Sequence, residues 1–179
     1  MEKITRFRAI PKFSSRCRWQ ADMAPDYLLS WIKEEQEEMG LNLEPDFQRG
    51  HVWTRKQQID YITYCLRGGT SGRDIYFNCA YWDEGKPVPG KEYVCIDGLQ
   101  RITAWDKFLH DQFPVFGSYR SEFTDRFPVS VSLKVHVNDL QTREEVLRWY
   151  LGMNSGGTDH DPKEIERVTA LLKAEEMQR

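Results

Sequence analysis

Between Pro128 and Asn138 the chain alternates without a break: Val129, Val131, Leu133, Val135 and Val137 are separated by Ser130, Ser132, Lys134 and His136. A period of two puts every second side chain on one face of an extended strand, so this segment demands a sheet with one face in a core and a polar face carrying His136. Two shorter strand-like runs, Ile75 to Tyr81 and Tyr93 to Ile96, flank the turn-rich Asp83-Glu84-Gly85-Lys86-Pro87. The remaining periodicity is helical. Leu28, Leu29, Ile32 and Met39 mark an amphipathic helix from Pro25 that stops at Gly40. Thr54 and Gln57 form a capping box for a second helix, which runs through Ile59, Ile62 and Leu66 to Gly68-Gly69. Leu99, Ile102, Trp105, Phe108 and Leu109 predict a third, starting directly where the Tyr93–Ile96 strand stops at Asp97-Gly98. Thr142 and Glu145 cap a fourth that runs out at Met153-Asn154, and Pro162 opens a last helix with Ile165, Val168, Leu171 and Leu172 on one face. This mixed order predicts an α+β fold, a small mixed sheet flanked by helices, rather than a regular βαβ winding.

A chain of 179 residues, 40% of them hydrophobic, buries one sizeable core, so residues 1–179 are expected to form a single domain. The formal charge of -3 gives no field that attracts an anion, and any anionic partner has to be held by a local basic patch. Residues 1–20 offer one: Lys3, Arg6, Arg8, Lys12, Arg16 and Arg18 stand against the single acid Glu2, with Phe7, Phe13 and Trp19 interleaved. That composition suits a phosphate-facing arm, and equally an edge segment whose aromatics enter the core. Cys17, Cys65, Cys79 and Cys95 form no Cys-x-x-Cys pair and read as reduced core thiols. His51, His110, His136 and His160 lack metal-ligand spacing. With neither a signal peptide nor a run of ~20 apolar residues, the chain is expected to be cytoplasmic and to avoid membranes.

Three segments carry the chemistry. Asp97-Gly98-Leu99-Gln100-Arg101 sets a carboxylate, a permissive glycine, an amide and a guanidinium at a strand-to-helix turn. A helix start attracts anions because its N–H groups lack partners and its dipole end is positive. Arg101 adds a fork for phosphate oxygens, while Asp97 suits Mg²⁺ or the proton of an attacking hydroxyl. The alternative is a polar turn in which Asp97 caps the helix and Arg101 makes a surface pair. Gln48 and Arg49, between Phe47 and Trp53 and just before a capped helix, supply a second arginine for a ligand with several phosphates. Asn154-Ser155-Gly156-Gly157-Thr158-Asp159-His160 joins two helices through two glycines that free backbone N–H groups for oxygen atoms, without the Gly-Lys-Ser/Thr ending of a P-loop.

Taken together and in this order, Pro45 to Trp53 (a Phe-Gln-Arg…Trp element), Val94 to Thr103 (an Asp-Gly-Gln-Gln-Arg element with Leu99 in place of the first Gln) and Asn154 to Glu164 (an Asn-x-Gly-Gly-Thr element) resemble the N-terminal domain of GmrSD-type modification-dependent restriction enzymes. That family falls in the ParB/sulfiredoxin-like superfamily. The resemblance covers about residues 43–168 and departs again at Gly72-Arg73-Asp74, where the family pattern is apolar with a proline. It suggests a phage-type stand-alone member without the separate His-Asn-His nuclease domain of those enzymes. It implies phosphate chemistry without a P-loop, as in the CTP-hydrolysing ParB clamp and in a free-serine kinase whose Asp-Gly-His-His-Arg segment is similar to Asp97–Arg101. Sulfiredoxin chemistry is not implied, because no cysteine sits at this turn.

The expectation is therefore an NTP-dependent phosphotransferase or NTPase that cleaves the γ-phosphate of ATP or another NTP with Mg²⁺. The phosphoryl group would pass to a hydroxyl on DNA, for example a hydroxymethylpyrimidine, or to water. Asp97, Arg101 and Arg49 are the expected catalytic residues, with Asp97 also the metal contact. Gln48, Gly98, Gln100, Asn154, Ser155, Gly156, Gly157, Thr158 and His160 are the expected nucleotide contacts. The alternative is a non-catalytic nucleotide- or modified-DNA-sensing module of a restriction-type system that acts with a separate nuclease.

Overall fold

The computed structural model describes residues 4–6, 10, 19–48, 50, 52–154 and 162–177. Its four strands are β1 (Trp19–Met23), β2 (Asp74–Cys79), β3 (Tyr93–Asp97) and β4 (Leu133–Asn138), in the order β1-β4-β2-β3. β4 lies parallel to β2, and the outer strands β1 and β3 are antiparallel to their neighbours, which makes the mixed sheet the sequence predicts. Among the described residues the α-helices are α1 (Pro25–Glu38), α2 (Arg55–Leu66), α3 (Leu99–Leu109), α4 (Arg143–Asn154) and α5 (Pro162–Met177).

Alternation sorts the two faces. Met23, Ile75, Phe77, Cys79, Tyr93, Cys95, Leu133, Val135 and Val137 point into a core closed by α1, α2 and α3, where Leu28, Ile62, Trp105 and Phe108 are buried. On the other face Val94 and Ile96 of β3 meet Val146, Leu147, Trp149 and Tyr150 of α4 and Val168 of α5, with Tyr76 of β2 packed against them. This second layer does not extend over the far edge of the sheet, where Gln20 and Asp22 of β1 are exposed. The polar face forecast for the alternating strand is therefore exposed at Gln20 and Asp22 of β1 and half-buried at Lys134 and His136 of β4.

Both capping boxes form. Thr54 N–H donates to Gln57 Oε1 at 2.8 Å while Gln57 N–H donates back to Thr54 Oγ1 at 3.3 Å. Thr142 and Glu145 reciprocate in the same way at the start of α4. Two boundaries differ from the sequence reading. β4 begins at Leu133 rather than near Pro128, because Val131 N–H donates to the Pro128 carbonyl at 3.0 Å and turns the chain there, leaving Val129 98% exposed. β1 was not foreseen: Trp19, Ala21 and Met23 alternate with Gln20 and Asp22 over only five residues, and it is pairing with β4 from Val137 to Leu133 that makes them a strand. Of the basic arm, residues 1–3, 7–9 and 11–18 lie outside the described residues. Cys65, Cys79 and Cys95 are buried thiols, and burial pushes Cys79 up to about 11 and Cys95 up to about 12, which disfavours their thiolate forms. Cys17 is outside the described residues.

Candidate functional site at the start of α3

The β2–β3 register slips by one residue between Tyr76 and Phe77: Phe77 pairs with Cys95, but Tyr76 pairs with Asp97. A slip of this kind bends the strand and re-aims the residues beyond it. The next residue is Gly98, buried at the N-cap of α3 with φ 125, a conformation that side-chain-bearing residues avoid. A Cβ there would stand 2.6 Å from Ile75 Cδ1 and 3.3 Å from Ile75 Cα. The turn is thus as tight as a glycine allows, and Gly98 has no side chain with which to cap α3. Asp97 is not the cap considered from the sequence.

Asp97 instead takes Arg101, one turn into α3, in an ion pair of 3.0 Å. The same Nη1 donates to the Asp74 carbonyl at 2.7 Å, so the guanidinium is clamped between the end of β3 and the start of β2. Arg101 is 23% exposed and Asp97 47%, which makes this a half-buried charge pair facing solvent on its carboxylate side. Burial works against the guanidinium charge, and Coulombic attraction to Asp97 with the hydrogen bond more than offsets it, so Arg101 stays protonated. The Asp74 side chain turns the other way: its Oδ1 lies 2.8 Å from His136 Nε2 on β4. The imidazole stacks on Tyr76 with ring centroids 4.5 Å apart and planes 11° from parallel, and the edge of Trp149 of α4 meets Tyr76 at 6.1 Å. A continuous polar chain results, Asp97–Arg101–Asp74–His136.

The segment 45–53 is drawn to the same place. Gln48 Nε2 donates to the Cys95 carbonyl at 2.6 Å. Gln100 Oε1 accepts from Val52 N–H at 2.9 Å and Trp53 N–H at 3.0 Å, while its Nε2 donates to the Gly50 carbonyl at 3.1 Å. Both amides therefore lace this loop to the β3–α3 turn. From behind, Phe47 is fully buried against Tyr150, Arg143 pairs with Asp46, and Arg167 of α5 donates to the carbonyls of Asp46 and Phe47. The hydrogen bond from Arg143 chiefly holds the Asp46 carboxyl below the ordinary carboxylate range. Gln100→Ala removes three hydrogen bonds in a partly exposed setting, and should lower unfolding free energy in urea by about 1–2 kcal/mol. Unchanged stability would mean that water replaces the amide.

Of the residues expected at the site, Gln48, Asp97, Gly98, Gln100 and Arg101 converge on one turn. Asn154 ends α4, its Nδ2 donating to the Tyr150 carbonyl at 2.7 Å. Arg49, Ser155, Gly156, Gly157, Thr158 and His160 lie outside the described residues. Among the described residues no three His, Cys, Asp or Glu side chains gather as metal ligands. No described helix is long and apolar enough to cross a membrane. Asp74 and Tyr76 were not foreseen as site residues, and His136 was placed on the polar face without a role. The signal was the alternation itself, but which residue would meet His136 depends on a register between segments 62 positions apart.

The family described as the N-terminal domain of GmrSD restriction endonuclease matches residues 28–169, a span that runs from the first turn of α1 through the first half of α5 and takes in every described side chain of the site. No curated protein and no solved structure matches the chain.

Proposed function

The chain belongs to the GmrSD restriction endonuclease N-terminal domain family, and from that premise we propose that it binds a nucleoside triphosphate with Mg²⁺ at the start of α3 and cleaves the γ-phosphate. The phosphoryl group passes to a hydroxyl on DNA, for example that of a hydroxymethylpyrimidine, or to water. The observation that carries this reading is the half-buried Arg101, clamped by Asp97 and the Asp74 carbonyl beside the helix N-terminus at Gly98. A helix dipole and a pre-oriented guanidinium at one turn suit an anion in transfer, since phosphoryl transfer is chiefly positioning and charge stabilisation. In this reading Asp97 holds Mg²⁺ or takes the acceptor proton, Arg101 and Arg49 stabilise the transferred charge, and Gly98 sets the tight turn at the start of α3. Gln48 and Gln100 act by fixing the loop; Asn154, Ser155, Gly156, Gly157, Thr158 and His160 keep the nucleotide role their motif suggests.

A second reading, a nucleotide- or modified-DNA-sensing module acting with a separate nuclease, draws on the fact that Arg101, Gln48 and Gln100 all have partners within the chain. Two measurements separate the readings. ATP or another NTP with Mg²⁺ should raise the thermal midpoint, since a ligand bound only by the native state adds about 2.7 kcal/mol at a concentration 100 times its Kd. No shift with any nucleotide at millimolar concentration removes the nucleotide site altogether. Incubation with γ-labelled ATP and hydroxymethylated DNA then shows whether label moves to DNA or is released as phosphate, and a midpoint shift without either favours the sensor.

A further inference from the structure

Building on the phosphoryl-transfer reading, we propose that His136, oriented by Asp74, is the base that takes the proton from the accepting hydroxyl or water. The pair is held from two sides. β2 and β4 are parallel with Tyr76 opposite His136 and Asp74 opposite Lys134, so the Asp74 carboxylate reaches diagonally along the sheet to Nε2 while the Tyr76 ring fixes the plane of the imidazole. With Nε2 committed to Asp74 as a donor, Nδ1 is the ring nitrogen left with a lone pair, which sets the tautomer a base needs. A carboxylate behind an imidazole also stabilises the imidazolium that forms.

The position suits the task. Asp97, Tyr76 and His136 stand opposite one another on three adjacent strands. Two strand spacings separate Asp97 from His136, about 10 Å between Cα atoms. In the proposal the phosphoryl group lies near Asp97 and Arg101 and the acceptor oxygen near His136, with Tyr76 on the strand between them. Asp74 serves both ends, its carbonyl holding Arg101 and its carboxylate holding His136. His136 is 15% exposed, and the acceptor approaches from the β1 side, where Gln20 and Asp22 are exposed. The groups around the imidazole are Asp74 and Tyr76 on β2, Lys134 on its own strand, Gln20 and Asp22 across on β1, Arg101 of α3 beyond Asp74, and Trp149 of α4 behind Tyr76.

In the step, the acceptor oxygen bonds to the γ-phosphorus as its proton moves to His136 Nδ1. The bond from the γ-phosphorus to the bridging oxygen breaks, and its electron pair leaves with the nucleoside diphosphate. The imidazolium then returns its proton to solvent. Asp74 is a positioning residue and His136 the catalytic one.

The test uses the full chain with γ-labelled ATP, Mg²⁺ and either hydroxymethylated DNA or water as acceptor, and compares wild type with His136→Gln and Asp74→Asn. His136→Gln should lose 10²- to 10⁴-fold in kcat, the usual contribution of a positioned base. It should keep the ATP-induced midpoint shift and lose the acid limb of the kcat–pH profile. Asp74→Asn leaves the carbonyl that holds Arg101, so it should also keep the ATP shift while kcat falls at least tenfold; it carries the test if His136→Gln does not fold. Turnover within a few-fold of wild type in either folded variant, with the acid limb intact, overturns the proposal while the nucleotide site stands. A wild-type ATP shift without turnover on either acceptor overturns it in favour of the sensor. Neither shift nor turnover in wild type overturns the proposal and the underlying function together.

Discussion

Asp97→Asn is expected to remove nearly all nucleotide turnover and leave a folded protein. Asparagine keeps the shape and one oxygen to accept from Arg101, but it carries no charge to hold Mg²⁺ and has no basicity. Losing a metal contact or a proton acceptor costs on the order of 10²- to 10⁴-fold in kcat. The stability cost is small by comparison. Asp97 is 47% exposed, so its pairing with Arg101 is screened and contributes about 1 kcal/mol at most. Arg101 also keeps its 2.7 Å bond to the Asp74 carbonyl. Phosphate release or label transfer, measured beside a circular-dichroism melt, separates the two effects. If turnover stays within a few-fold of wild type, Asp97 serves only to clamp Arg101.

The parts of this architecture that were legible in the sequence are those whose determinants are local. Thr54 with Gln57 and Thr142 with Glu145 fixed two helix starts because each box is closed within four residues. The abrupt end of an apolar run at Asp97-Gly98, followed at once by helical spacing, located the turn on which the site is built. The features that escaped were decided by pairing. β1 exists because β4 offers it an edge, and the Pro128–Ser132 stretch of alternation leaves the sheet because a turn closes there first. The same reason hid the Asp74–His136 pair. Asp74 drew notice only as a departure from the family pattern, and nothing short of the parallel β2–β4 register shows that its carboxylate meets an imidazole. Gln48 and Gln100 show a different limit: an amide serves a backbone as readily as a nucleotide, and residue type does not say which.

Gly98→Ala is the substitution with the largest expected effect on stability. Alanine at φ 125 is strained by about 1–3 kcal/mol wherever it occurs. Here its Cβ also meets a neighbour that has nowhere to go. Ile75 Cδ1 lies 2.6 Å and Cγ2 3.0 Å from the ideal Cβ position, and Ile75 is fully buried in the core beneath α2 and α3. Swinging that side chain away means an off-rotamer conformation or a shifted strand, about another 1–3 kcal/mol. The sum, about 2–6 kcal/mol, is a large fraction of a small domain's stability. Gly72→Ala isolates the clash, because Gly72 also has positive φ, at 66, yet nothing lies within 4 Å of its ideal Cβ. It should cost about 1 kcal/mol. Ile75→Val removes the nearest methyl, so the pair Gly98→Ala with Ile75→Val should be less destabilised than the two single losses added together. Urea unfolding of the four variants reads all of this directly. If Gly98→Ala costs no more than Gly72→Ala, the β3–α3 turn relaxes freely, and Asp97 and Arg101 are not held by a rigid support.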